Sequence, residues 1–344
     1  MELHPPETQT LYAQLFELVV SREIDLELGF ANGLAVERQV KGHAYLYWQM
    51  RDLEGRLKQV YLGPKDDERA IALRDRFVSF KKGAARADVE RLTAAYIASG
   101  GATNIGTHFK VVDALARAGL FRAGAVLVGS HAFVSIGASL GVTWSALDAA
   151  TADVDLCRDE FVSVACDEVH AIDVPGVLKS VDPTFFLIPE FDLKTPSTSM
   201  ASRDKKIKVD LLTTTKTPRD TKPRIVAPFG LGAQPLRYMD YLVRHGVQRS
   251  LFIGKSAVLV NVPEAGRFAV HKLAIAMRRH ETSIKSGKDI RQADALILAL
   301  ADLRPGALGL AMRAATKHHD GGLIKDVRAA AKKLPEKTRA ALGI

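Results

Sequence analysis

Asp153, Val154 and Asp155 fall inside a strand expected over residues 152–156. Residues two apart on a strand share a face, so the two carboxylates point the same way while Val154 turns into the core. Paired hard oxygens of this kind suit Mg²⁺ or Mn²⁺ held beside a triphosphate. Upstream, residues 125–128 form a short apolar run fit for a buried strand, followed by Gly129-Ser130 and a helix expected over 131–139. Glycine lets a phosphate approach the backbone closely. A serine hydroxyl beside the unpaired N–H groups of a helix N-terminus completes a phosphate cradle. Asp210, in the run KIKVDLLT, is the expected third carboxylate on a neighbouring strand, and Lys208 shares its face as a phosphate contact. Asp153, Asp155 and Asp210 are thus the expected metal ligands and catalytic acids. One ion would steady a leaving pyrophosphate, and the other, held with Asp210, would lower the pKa of an attacking hydroxyl.

Each of these residues also has a plainer role open to it. Strand-end carboxylates can be solvated and bind nothing, and Ser130 could serve only as a helix cap. Lysines on helices are usually solvated. His131 and His271 could shuttle protons, but packing or hydrogen bonding is the commoner use, and Cys157 sits where a core residue is expected.

The elements that position this chemistry are legible in outline. Apolar spacing predicts a helix over 7–22. Residues 38–62 alternate as a β-hairpin with a turn at Glu54-Gly55 and room for a third short strand before it. A helical stretch over 66–98 breaks at Gly83, Gly100-Gly101 punctuates the chain, and another helix runs over 105–120. The segment 121–262 reads as α/β, with strands over 125–128, 152–156, 207–212 and 257–262. Its polar, Pro-containing connection, 189–205, is expected to be mobile. Beyond Pro263 four helices are expected, over 264–281, 287–303, 305–317 and 320–333, with Pro305 suited to a helix start. The organisation that follows is an N-terminal helix and β-hairpin module over 1–99, a catalytic domain over 100–262 and a C-terminal helical domain over 263–344.

Gly-Ser followed by Asp-Val-Asp resembles the DNA polymerase β-type nucleotidyltransferase superfamily. The segments GLFRAGAVLVGSHAF, LGVTW, TADVDL, GRFAVHKLAIAMRR and KSGKDIRQADAL look like a bacterial nucleotidyltransferase-like family of poorly known function, over about residues 100–305. The resemblance implies an α+β fold, a polymerase β-like mixed sheet flanked by helices, and metal-dependent transfer of a nucleoside monophosphate from an NTP. In a toxin-like, abortive-infection branch of the superfamily, similar lysines and arginines contact the triphosphate and a later aspartate supports the site. That carries over to Lys272, Lys288 and Asp289, with Arg278 and Arg279 nearby. One departure stands out: 22 residues separate Ser130 from Asp153, a longer spacer than many superfamily members have, so LGVTWSALDAAT must loop out.

Composition bounds the rest. The 344 residues are too many for one ordinary domain. Hydrophobic residues make up 47% and charged residues 25%, as in folded soluble proteins. No stretch is long and apolar enough to span a membrane, and no signal peptide is evident, so a cytoplasmic location is expected. The two cysteines, Cys157 and Cys166, make no metal-ligand pattern. A net charge of +9 suits a polyanionic partner. Tyr45, Tyr47, Trp48 and Tyr61 accompany Arg38, Lys41, Arg51, Arg56 and Lys58, a mixture that can stack and track nucleic acid. The same residues could equally form a small sheet packed on flanking helices. The run also resembles a short β-module at the start of some mobile-element proteins. The expected activity is nucleotidyl transfer to a hydroxyl, with tRNA or another RNA first among acceptors and a toxin or phage-defence role in view. The alternatives are protein AMPylation, small-molecule nucleotidylation, a non-catalytic nucleotide- or nucleic-acid-binding module, and one half of a pair with a cognate antitoxin or regulator.

Overall fold

The computed structural model describes residues 1–27, 33–51, 57–81, 84–104, 106–149, 151–159, 172–192, 194–204, 206–217, 219–279 and 283–344. The turn at Glu54-Gly55, the break at Gly83 and Cys166 lie outside these residues. The chain opens with β1 (Glu2–Leu3) and α1 (Pro6–Glu27), then β2 (Leu34–Val40), β3 (His43–Arg51) and β4 (Leu57–Pro64). The third short strand before the hairpin is therefore present as β2, and the three form one antiparallel sheet. Two helices follow, α2 (Glu68–Lys81) and α3 (Ala84–Ala98), and then α4 (Gly106–Arg117).

The central part runs β5 (Val126–Val128), α5 (Gly129–Leu140), β6 (Val142–Thr143), α6 (Ala146–Ala149), β7 (Asp153–Arg158), α7 (Val174–Val181), β8 (Phe185–Leu187), β9 (Ser199–Ser202), β10 (Lys208–Thr214), β11 (Arg224–Val226) and β12 (Leu231–Leu236). After these come α8 (Met239–Val243), β13 (Val247–Ile253), β14 (Ala257–Pro263), α9 (Ala265–Ala276), α10 (Ile284–Leu303), α11 (Pro305–Thr316), α12 (Gly322–Ala331) and α13 (Glu336–Leu342). The fold is α+β.

A seven-stranded mixed sheet carries the acids, in the order β11-β12-β10-β7-β5, with β9 on β10 and β8 on β9. β10 pairs in parallel with both β7 and β12, while β5 runs antiparallel to β7. Two sequence expectations are revised here. Residues 189–205 supply β9, which pairs with β8 and β10, so part of this segment is sheet rather than a bare connection. Its Ser-Met-Ala-Ser run alternates buried and half-buried, but it is too short and polar to register as a strand. The strand over 257–262 is real as β14, yet among the described residues it pairs with β13 in a separate hairpin rather than with the acid-bearing sheet. β13 carries Gln-Arg-Ser at its centre, which hides its apolar character.

One continuous core extends from Phe109 to Leu342, so helices α9 to α13 share their interior with the sheet. A second cluster joins Leu15 and Val19 of α1 and Val89 and Tyr96 of α3 to the β13–β14 hairpin. The helix that brings cations to the sheet, α9, is capped by Glu264, whose side chain accepts from the N–H groups of Gly266 and Arg267 at 2.9 Å each.

Candidate active site

The strand register aligns four side-chain positions in one row across the sheet. Val128 faces Asp155, Asp155 faces Asp210, and Asp210 faces Ser199. Asp153 faces Lys208 one step along. The row follows from local rules: alternation puts Asp153 and Asp155 on one face of β7, and parallel pairing sets the β10 pair beside them.

Gly129, the first residue after β5, has a φ of +67°, and a Cβ built there would lie 2.1 Å from Asp155 Oδ2. Only glycine allows this close approach of backbone to carboxylate. Burial holds the Asp155 carboxyl up to about 6, and the neighbouring Asp210 charge adds to the effect. Asp210 accepts a hydrogen bond from Ser199 Oγ at 2.5 Å and an ion pair from Lys208 Nζ at 2.7 Å. Burial pulls Lys208 down, but Asp210, with Asp153 and Asp155 beyond it, outweighs burial and raises it. Lys285 Nζ reaches Asp153 Oδ2 at 3.3 Å.

Ser130, at the N-terminus of α5, is buried and accepts from Lys288 Nζ at 2.7 Å and Gln292 Nε2 at 3.2 Å. Burial, reinforced by Lys272, lowers Lys288. Lys285, Lys288 and Gln292 stand three and seven residues apart on α10, hence on one helical face. That spacing is the signal by which Lys285 and Gln292 are legible in the sequence.

Beside the acids opens a cavity of about 470 Å³. Its lining combines Gly129, Asp155 and Asp210 with Lys272, Arg237, Arg278 and Arg279 and with apolar residues that include Phe268 and Met239. Lys272 and Asp289 form a buried pair at 2.7 Å, and Arg279 Nε meets the other oxygen of Asp289 at 2.8 Å. One buried carboxylate thereby holds two pocket cations. Arg237 and Arg278 are anchored from beyond the cavity by Asp320 and Asp326 at 2.6 Å each. Both guanidinium groups lie over the ring of Tyr238, at 4.9 and 5.6 Å from its centroid. Tyr238 adopts a left-handed backbone, φ +68°, that no local sequence signal announces.

All nine expected residues thus lie at or around one location, in two groups. Asp153, Asp155, Asp210, Gly129 and Lys208 sit on the sheet edge, with Ser130 and Lys288 joined beside them. Lys272 and Asp289 sit on the helical wall. His131 and His271 are buried, and burial lowers each to about 3, so both are neutral. His131 Nδ1 donates to Asn104 Oδ1 at 3.0 Å in this state. The Cys157 thiol is buried, which raises it far above the usual thiol range.

The donors fit a divalent ion. Carboxylates crowd one sheet edge, one of them is destabilised in its charged form, and two ammonium groups already settle on the other two. The three carboxylates do not gather into one tight trio. Among the described residues, the trio whose ligand atoms all lie within 4.8 Å of one another is Asp240, His318 and His319. There His318 Nε2 and Asp240 Oδ2 are 2.9 Å apart as an ion pair.

A family model described as nucleotidyltransferase matches residues 107–317, from α4 to just past α11. The chain belongs to this nucleotidyltransferase family. Every one of the nine residues falls inside the matched stretch, whereas the β2–β4 sheet and the anchors Asp320 and Asp326 fall outside it. No curated protein and no solved structure matches the chain. No helix among the described residues is long and apolar enough to cross a membrane.

Proposed function

We propose that this nucleotidyltransferase moves a nucleoside monophosphate from an NTP to a hydroxyl group of RNA, tRNA first, at the edge of β7 and β10. The observation that carries this is the row in which Asp155 and Asp210 face each other against Gly129. Asp153, Asp155 and Asp210 would hold Mg²⁺ or Mn²⁺, which when bound supplies charge neutralisation at the triphosphate and acidifies the acceptor hydroxyl.

The chain's own residues do the rest. The N–H groups at the start of α5 point at the phosphates. Ser130 Oγ accepts from both Lys288 and Gln292, so its own proton is directed elsewhere and can be donated to a phosphate oxygen. Lys272, Arg278 and Arg279 present positive charge where negative charge develops. The acceptor oxygen bonds to the α-phosphorus, the bond to the bridging oxygen of the β-phosphate breaks, and pyrophosphate leaves. The hydroxyl proton passes to the Asp210 carboxylate. An RNA acceptor agrees with the net charge of +9, and a toxin or phage-defence role would follow from it.

The test is incubation of the protein with each α-labelled NTP, Mg²⁺ or Mn²⁺, and total tRNA, beside an Asp153→Ala/Asp155→Ala control. Label on RNA that the double variant abolishes supports the proposal. Label on protein or on small molecules replaces RNA with those acceptors. Equal labelling by both proteins moves the active site elsewhere, and NTP binding without transfer to any fraction leaves a binding module.

A further inference from the structure

The β2–β4 sheet divides its aromatic residues by face. Leu46 and Trp48 turn inward, where Trp48 is 0% exposed and its ring lies 5.2 Å from Phe77 of α2. Tyr45 and Tyr47 turn outward, and Tyr61 of β4 stands directly across from Tyr47. The three rings cluster, with Tyr61 centred 5.9 Å from Tyr45 and 5.4 Å from Tyr47 and steeply tilted to both. Tyr61 is 54% exposed, a high value for a tyrosine within a sheet.

The strand register sets a cation on this face, while one acid, Asp67, acts on Tyr61 from just beyond the end of β4. Arg38 pairs in register with Tyr45 and shares its face, and it has no ion pair among the described residues. Lys41 projects from the β2–β3 turn, where Lys41 and Gly42 adopt φ values of +51° and +81°, the pattern of a tight two-residue hairpin. Among the described residues of these strands the sole carboxylate is Glu37, which faces the other way and holds Lys65 at 2.9 Å. An outward sheet face with a cluster of tilted rings, a cation beside them and no carboxylate among its own described strand residues fits a polyanion with unpaired bases. Base stacking on aromatic side chains tolerates any sequence, and cations track the backbone.

We infer that the outer face of the β2–β4 sheet, centred on Tyr45, Tyr47, Tyr61 and Arg38, binds single-stranded RNA. The choice of RNA rests on the acceptor proposed above, whereas the surface itself lies outside the family-matched stretch and does not depend on the transfer chemistry.

The test uses the full chain and a fluorescein-labelled single-stranded RNA, followed by anisotropy across a salt titration. Tyr45→Ala/Tyr47→Ala/Tyr61→Ala should bind more than about tenfold more weakly. Tyr61→Phe, which keeps the ring, should bind like the unaltered protein, and Tyr61→Ala alone serves if the triple variant does not fold. Arg38→Ala should reduce the slope of log affinity against log salt by about 0.7. RNA binding by the unaltered protein is read separately from label transfer. Intact binding without label transfer therefore overturns the transfer chemistry alone, and normal RNA affinity in the tyrosine variant overturns the surface alone. Self-association of the unaltered protein that the tyrosine variant abolishes, with RNA affinity unchanged, would reassign the face to a second copy of the chain.

Discussion

Substituting Gly129 by alanine should uncouple folding from chemistry. The new Cβ would lie 2.1 Å from Asp155 Oδ2 and 3.1 Å from its Cγ, where real contacts begin above 3.0 Å. The backbone at φ +67° adds its own cost, about 1–2 kcal/mol for an L-residue in the left-handed region. The end of a short side chain gives way more readily than two paired strands, so the carboxylate retreats by about 1 Å. A misplacement of that size at a reacting centre costs on the order of 100-fold in rate. Gly129→Ala should therefore melt only a few degrees below the unaltered protein, bind NTP within a few-fold, and transfer label about 100-fold more slowly in single-turnover experiments. Because the clash is with Asp155, adding Asp155→Ala to Gly129→Ala should restore part of the lost stability, a non-additivity expected only of residues in contact. Wild-type transfer rates in Gly129→Ala, or strictly additive stability losses in the double variant, would refute the argument.

Three further outcomes follow from the polar contacts of charged groups. Asp289→Ala strands the buried Lys272 and removes the partner of the exposed Arg279, and should cost about 3–5 kcal/mol in urea denaturation. Lys288→Ala removes the ammonium beside Ser130 and should weaken NTP binding by about tenfold or more in a fluorescent-nucleotide titration, with little change in melting temperature. The His318–Asp240 pair should make stability depend on pH. Burial pulls His318 down, but the Asp240 carboxylate and Asp320 outweigh it and hold it above the ordinary 6.5. Burial raises Asp240, yet the hydrogen bond from His318 and the charges of His318, His319 and Arg244 outweigh it and hold it below 3.8. The histidine's contribution is complete below its unfolded pKa and is lost as pH rises through the elevated folded value. The aspartate's is complete above its unfolded pKa and is lost as pH falls. His318→Ala should thus cost most between about pH 4 and 6.5 and least near pH 9. A penalty that is flat over this range, measured by chemical denaturation, would sink the ion-pair account.

Local rules carried a large part of the site. Alternation alone put Asp153 and Asp155 on one face, and the same rule separated Trp48 from Tyr45 and Tyr47. The order strand, Gly-Ser, helix identified the place where a backbone could meet phosphate. The helical period of α9 and α10 was readable too, including the shared face of Lys285, Lys288 and Gln292. What no local pattern contains is which strand lies beside which. Asp210 faces Asp155 because β10 pairs in parallel with β7 across the whole of residues 159–207. Ser199 reaches Asp210 because a short polar run joins the sheet's edge, and β14 leaves the sheet to pair with β13. The cationic wall likewise depends on Asp289, Asp320 and Asp326 reaching Lys272, Arg279, Arg237 and Arg278 from distant parts of the chain. Backbone pairing and buried charge are satisfied by whichever partner the whole fold delivers. Side-chain periodicity is a property of neighbours in the chain, and so it determined the faces, while only the tertiary structure decided what each face would meet.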